Sequence, residues 1–310
     1  MHRWILLLAV CLLLACGGKG ANAGGENKLD LDSDPLALLP GSAVIVANVD
    51  ARSLWDSTTV GPQLGVIADR LMPLGDDAGF EAKRDVDRVV LASYATGGID
   101  VAAVVSGRFD QAKIEAATKT KGGSAVTKTM YADRATYAGG GAVWCVLTAK
   151  TVVAGTSEAV RHVLDKLKTG KIERAEPPWV IETLQTPGAE LAVAGDFASQ
   201  PLVAASIGSL NLPWLEGLHV ARVIGNFQSP GMNVAATLTY GDAQQASSAA
   251  DGVRTVTGWI KLLGPFLGGV SLQNLDVQTA GADMQCKFAV DDSTLSSILA
   301  LAPRFLPAAQ

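Results

Sequence analysis

Two pairs of strand-like runs leave room between their members only for a turn, and this spacing constrains the fold more than any other feature. Arg88 to Tyr94 and Asp100 to Phe109 flank Thr96-Gly97-Gly98, while His219 to Phe227 and Met232 to Tyr240 flank Ser229-Pro230-Gly231. Connections this short join antiparallel strands, because parallel neighbours need a long crossover. Each pair is followed by an aspartate placed to cap a helix, Asp110 in the first case and Asp242 in the second.

The rest of the chain repeats the theme. Gly41-Ser42 opens a strand at Ala43 to Asp50, and an amphipathic helical stretch follows at Pro62 to Met72. Strands at Ala125 to Met130, Ala135 to Ala138, Ala142 to Leu147 and Thr151 to Gly155 lead to a helix from Ser157 to Lys168, with Val160, Val163, Leu164 and Leu167 on one side. After a charged, proline-bearing stretch come a short helix (Trp179 to Leu184), the turn Pro187-Gly188 and a strand from Glu190 to Phe197. A helical segment at Pro201 to Ile207, strands at Leu272 to Thr279 and Asp283 to Val290, and a last helix opened by Asp291-Asp292 complete the chain.

Gly41 matches Gly188, and the strand-turn-strand-Asp-helix unit occurs in both halves. The pattern predicts an α+β fold of two similar halves, an internal repeat, each an antiparallel sheet with helices packed on one face. The expected division is residues 1–15 as signal peptide, 16–34 as tether, 35–170 and 189–310 as the two halves, and 171–188 as linker. Limited charge (18%) and a 48% hydrophobic content exclude a disordered chain. A formal charge of −5 and a pI near 5.3 give no basic footprint for nucleic acid.

The amino terminus reads as a targeting segment. His2 and Arg3 precede the apolar run Trp4 to Leu14, whose eleven residues would rise only about 16 Å as a helix, roughly half a bilayer core. The run ends in Leu13-Leu14-Ala15-Cys16, which resembles the lipobox of bacterial lipoproteins. That resemblance implies cleavage after Ala15 and acylation of Cys16, hence a palmitate-type anchor in the cell envelope. An ordinary secretory peptide that contains a cysteine is the plainer alternative. Loss of residues 1–15 removes Arg3 alone, leaving 24 basic against 30 acidic side chains and a charge of −6. Gly17 to Lys28 has five glycines and no large apolar residue, the composition of a flexible coil. In enteric lipoproteins an aspartate after the acylated cysteine directs retention at the inner membrane; Gly17 in that place favours the outer membrane.

A second resemblance covers the body. Leu38-Leu39-Pro40-Gly41-Ser42 with the strand through Asp50, and the later Gly107-Arg108-Phe109-Asp110, resemble a broad group of uncharacterised bacterial envelope proteins. The resemblance implies an architecture and no activity.

Candidate chemistry is sparse. Asp30-x-Asp32-x-Asp34 resembles half a calcium loop, but Pro35 and Gly41 stand where glycine and a bidentate glutamate are required. It reads better as a solvated tether ending with Asp34 as N-cap and Pro35 in the first helical turn. Ala204-Ala205-Ser206-Ile207-Gly208 approaches a nucleophile elbow, yet it lies in an apolar helical stretch and has only His219 downstream as base. His162 falls on a polar helix side, and no zinc spacing joins it to His219. The glycine clusters are turn glycines, and Trp55, Trp179, Trp214 and Trp259 read as core rather than as a ligand groove.

No catalytic, cofactor-binding or metal-binding residue is assigned, and no cofactor is implied. The expected function is that of a non-catalytic, lipid-anchored envelope protein acting by binding or protein interaction. Its partners would be the membrane, through the lipid on Cys16, and an envelope protein or apolar ligand. A carrier of apolar ligands such as lipids is the alternative, and a serine hydrolase is less favoured. Cys145 and Cys286, the cysteines that survive processing, read as buried, in different halves and unbridged.

Overall fold

A computed structural model of the chain describes residues 30–57, 60–95, 100–200, 213–227, 231–263 and 272–300. The unit that begins at Leu31 is built on one 12-stranded sheet. Its strands are β1 (Ile45–Val49), β2 (Val86–Ser93), β3 (Val101–Gly107), β4 (Thr127–Tyr131), β5 (Arg134–Gly139), β6 (Ala142–Val146), β7 (Thr151–Gly155), β8 (Leu191–Asp196), β9 (Leu218–Phe227), β10 (Gly231–Tyr240), β11 (Leu272–Ala280) and β12 (Asp283–Asp291). The helices are α1 (Pro35–Leu38), α2 (Ala51–Trp55), α3 (Val60–Leu71), α4 (Ala82–Asp85), α5 (Gln111–Ala116), α6 (Ser157–Thr169), α7 (Pro178–Leu184), α8 (Ala243–Leu263) and α9 (Asp292–Leu299).

The strand order is β11-β12-β10-β9-β8-β1-β2-β3-β7-β6-β5-β4, and every neighbouring pair is antiparallel. The α+β class and the antiparallel pairing expected from the turns are what the chain adopts. The expectation of a separate sheet in each half is corrected: β1 pairs with β2 on one side and β8 on the other, which joins the halves. The cause lies in β1 itself. Val46 enters one core while Ile45 and Val49 pack into clusters on the opposite face. A strand wanted by two cores belongs in the middle of a sheet, not at its edge.

Counted outward from β1 and β8, both arms run three strands in chain order and then take the last strand of their half. The central pairing is centred on Ala47 opposite Val193, with Ile45 opposite Gly195 and Val49 opposite Leu191. The turn residues before these strands are Ser42 (φ 71°) and Gly188 (φ 76°). Ser42, and not Gly41, is therefore the left-handed counterpart of Gly188.

Helices α1, α6 and α7 cover the first face of the sheet, over Val46, Val90, Val104 and Val153. Thr156 caps α6 by accepting from the Ala159 N–H, and Gly170 ends it at φ 70°, so both termini are fixed by local chemistry. The second face carries α2, α3 and α5 over Val101, Ala103, Val105 and Trp144, and α8 and α9 over β10 and β12. Helices on a single face thus describe β10–β12, whereas the first half is covered on both. The open first face of the second half presents Arg222, Asn233, Gln285 and Lys287 to solvent. That alternation is the signature of an antiparallel sheet with one wet face. Cys145 lies in the core of the first face and Cys286 on the second beside Met284, so the sheet separates two free, buried thiols. Burial pushes the Cys145 thiol up to about 11.

Two boundaries differ from the sequence reading. The tether was expected to reach residue 34, but Leu31 is buried and Asp32 is engaged by the body. Within the linker 171–188 the helix expected at Trp179 to Leu184 is present as α7, and the charged stretch before it is packed on the body through the buried Glu176.

Candidate binding clefts

Two adjoining clefts on the second face share a wall made by Gly79, Phe80 and Arg84. The first, about 690 Å³, opens between α3 and the segment from the 3-10 turn Asp76–Ala78 into α4. Its apolar surface comes from Trp55, Leu74 and Phe80. Trp55 is held in place because its indole N–H donates to the Val86 carbonyl at 3.2 Å. Ion pairs cross the cleft at both ends, Lys83 with Asp56 at 3.6 Å and Lys121 with Asp69 at 2.8 Å. Both are exposed, so they order the rim more than they stabilise the fold. Gly65 of α3 faces the cleft, and a Cβ built there meets nothing within 4 Å.

The second cleft, about 650 Å³, is formed around Gly107-Arg108-Phe109-Asp110. Each residue of that motif does structural work. Gly107 lies so close to β2 that a Cβ would stand 1.8 Å from the Asp85 carbonyl oxygen. The Arg108 amide donates to that carbonyl at 2.8 Å, and its guanidinium donates to the Arg84 carbonyl. Phe109 stacks on Phe80 with ring centroids 6.2 Å apart. Asp110 accepts from the Lys113 N–H and caps α5.

Beneath the shared wall sits Asp85. Burial alone would raise its carboxyl. The paired hydrogen bonds from Arg84 (2.7 and 2.6 Å), the Glu81 N–H and the charges of Arg84 and Arg108 outweigh burial and hold it below the usual carboxylate range. The Arg84 guanidinium is raised in turn, chiefly by its hydrogen bond to Asp85. The second cleft therefore has an aromatic floor and a cationic rim of Arg84, Arg108, Lys113 and Lys150, with Asp85 and Asp110 already engaged.

The residues singled out from sequence do not converge here. His162 and His219 are both exposed and sit on α6 and β9. Ser206 lies outside the described residues, as do Ala15 and Cys16. Asp32 accepts hydrogen bonds from the hydroxyls of Thr148 (2.5 Å) and Thr151 (2.7 Å), and Asp34 pairs with Arg174 at 2.6 Å. The Asp30–Asp34 stretch is thus a clasp and not a solvated tether, although Pro35 does open α1. Among the described residues no group of three metal-ligating side chains occurs, and no helix is long and apolar enough to cross a membrane. Trp55 is both core and cleft wall. Trp179 lies under the Arg222 guanidinium at 5.2 Å, and Trp214 packs beside the α8 core. The side chain of Trp259 falls outside the described residues.

Sequence reasoning missed Phe80, Arg84 and Asp85, because the short turns that carry them have no periodicity. The one available signal was the Gly-Arg-Phe-Asp motif, whose partners they are.

No protein-family model matches the chain, and no curated protein matches it. Solved structures do. Crystal form I of TP0453 superposes with a TM-score of 0.55 at 14% identity, covering 86% of this chain and 97% of that one. Crystal form III gives 0.52 at 15% identity, covering 86% and 98%. At such identity the likeness shows a shared fold alone.

Proposed function

We propose that the chain is a non-catalytic envelope protein, anchored by lipid on Cys16, that acts by binding at the paired clefts. The outer membrane is the favoured location, from Gly17, and the matching strand order of the two arms supports an ancestral duplication. The observation that carries the binding reading is the shared wall itself. Phe80 shows an aromatic surface to two clefts, the first rimmed by ion pairs and the second by cations, an arrangement suited to seating a partner rather than to moving protons.

The apolar-ligand alternative has its own support in the first cleft, where Trp55, Leu74 and Phe80 form a surface wide enough for a small ligand. The anchor is tested by Cys16→Ala. The variant should lose lipid labelling and leave the membrane fraction, because several acyl chains hold a protein far more firmly than its acidic surface does. A variant that still sediments with membranes after a high-salt wash refutes the anchor.

A further inference from the structure

The two clefts differ in charge. The first is lined by three basic and four acidic side chains. The second is lined by four basic side chains, Arg84, Arg108, Lys113 and Lys150, against two acidic ones, Asp85 and Asp110. Both acids are engaged inside the site, Asp85 with Arg84 at 2.6 Å and Asp110 with Lys113 at 3.3 Å. Arg108 and Lys150 remain. Among the described residues neither has a carboxylate within ion-pair distance. A surplus of two positive charges in one cleft runs against the chain as a whole, which is acidic at −5.

The backbone brings these two cations together. The Gly107 and Phe109 amides donate to the Lys150 and Ala149 carbonyls at 2.9 and 2.8 Å, so Arg108 stands between two hydrogen bonds to the turn that bears Lys150. That turn is held from its other side as well, where Thr148 and Thr151 donate to Asp32. One N–H of the Arg108 guanidinium donates to the Arg84 carbonyl, and among the described residues its side chain makes no other hydrogen bond. The rest of the fork is free for a ligand. The stacked rings of Phe80 and Phe109 supply an apolar floor beside it. Cations fixed in this way lose little freedom when an anion arrives.

An arginine fork meets carboxylate and phosphate groups with paired hydrogen bonds. The charge decides between them. A carboxylate brings one negative charge and leaves half of the surplus uncompensated. A phosphate monoester brings about −1.5 to −2 at neutral pH and three acceptor oxygens, enough for Arg108 and Lys150 together.

Resting on the reading that the clefts bind, we propose that the second cleft takes a phosphate monoester, held by Arg108 and Lys150, whose apolar body lies on the Phe80–Phe109 floor. The same group can arrive on a small soluble molecule or as the headgroup of a phosphatidic acid, and the test separates the two.

The test is isothermal titration calorimetry of the purified full-length chain at low salt and about pH 8, where the monoester is fully ionised. The probes are phenyl phosphate and dihexanoyl phosphatidic acid, each against a partner of lower charge, benzoate and dihexanoyl phosphatidylcholine. Each phosphate monoester that binds should do so severalfold more tightly than its partner. Tighter binding of dihexanoyl phosphatidic acid assigns a lipid headgroup, and tighter binding of phenyl phosphate assigns a soluble molecule. Lys150→Glu reverses one of the two charges and should weaken phosphate binding about tenfold. Lys171→Glu makes the same charge change just past Gly170, where α6 ends, and should leave binding unaltered. Both lysines are exposed, and among the described residues neither side chain makes a hydrogen bond or ion pair that the fold would lose. Failure of both phosphates, binding no tighter than that of the partners, or equal weakening by Lys150→Glu and Lys171→Glu overturns the proposal. If the chain retains a native ligand in its clefts while both phosphates fail, the phosphate assignment falls and the cleft reading stands.

Discussion

Replacing Gly107 by alanine tests the corner that forms the second cleft. The added Cβ would lie 1.8 Å from the Asp85 carbonyl oxygen, and contacts under 3.0 Å do not persist, so β2 and β3 must part by more than 1 Å there. The opening acts on hydrogen bonds on both sides, Arg108 N–H to Asp85 at 2.8 Å and Gly107 N–H to Lys150 at 2.9 Å. Each is worth about 1 kcal/mol, and forced overpacking costs about 1–3 kcal/mol. Gly107→Ala should therefore destabilise by about 2–4 kcal/mol, lowering the melting temperature by roughly 4–12 °C for a domain of this size. Gly65→Ala supplies the control. Its Cβ meets nothing within 4 Å on helix α3, so alanine should stabilise by about 0.5–1 kcal/mol. Thermal unfolding followed by circular dichroism reads both. A Gly107→Ala protein that melts within a degree of the parent refutes the close-approach argument.

Two further perturbations address the clasp and the buried carboxyl. Asp32→Ala removes the acceptor for Thr148 and Thr151, which should cost about 1–2 kcal/mol and expose the Leu31 to Leu39 segment to limited proteolysis; unchanged cleavage would show that the clasp is idle. Burial raises the Glu176 carboxyl, only partly offset by the Ala43 N–H and Lys166 and reinforced by Asp196. The folded chain therefore holds that proton more tightly than the unfolded one. The associated stability is complete below the ordinary value of 4.5 and is lost as pH rises through the raised value. Glu176→Gln, neutral throughout, should melt above the parent at pH 7 and level with it at pH 4; a lower melting point at pH 7 contradicts this.

Much of the local structure was legible because its causes are local. Asp110, Asp242 and Asp291 each accept from a backbone N–H three residues on, as capping chemistry requires. The apolar stripe of α6 is wholly buried. What escaped was non-local. The joining of β1 to β8 depends on residues far apart in the chain, and its only trace was the nearly unbroken apolar character of Ile45-Val46-Ala47 and Leu191-Ala192-Val193-Ala194. Likewise α9 and α6 follow corresponding strands yet pack on opposite faces, a choice set by α3, against which α9 rests. The clefts were invisible for a related reason: their walls are short turns whose anchors, Trp55 on the Val86 carbonyl and Asp85 on the Arg84 guanidinium and the Glu81 N–H, follow no periodic pattern.

Native mass spectrometry of the chain released from its own membranes in mild detergent tests the central claim, that the clefts bind. The account predicts a bound species on the parent protein that is lost from the double variant Gly65→Trp, Ala149→Trp, which adds an indole to the lining of each cleft. A bare parent chain, or a bound species that survives the double variant unchanged, contradicts it.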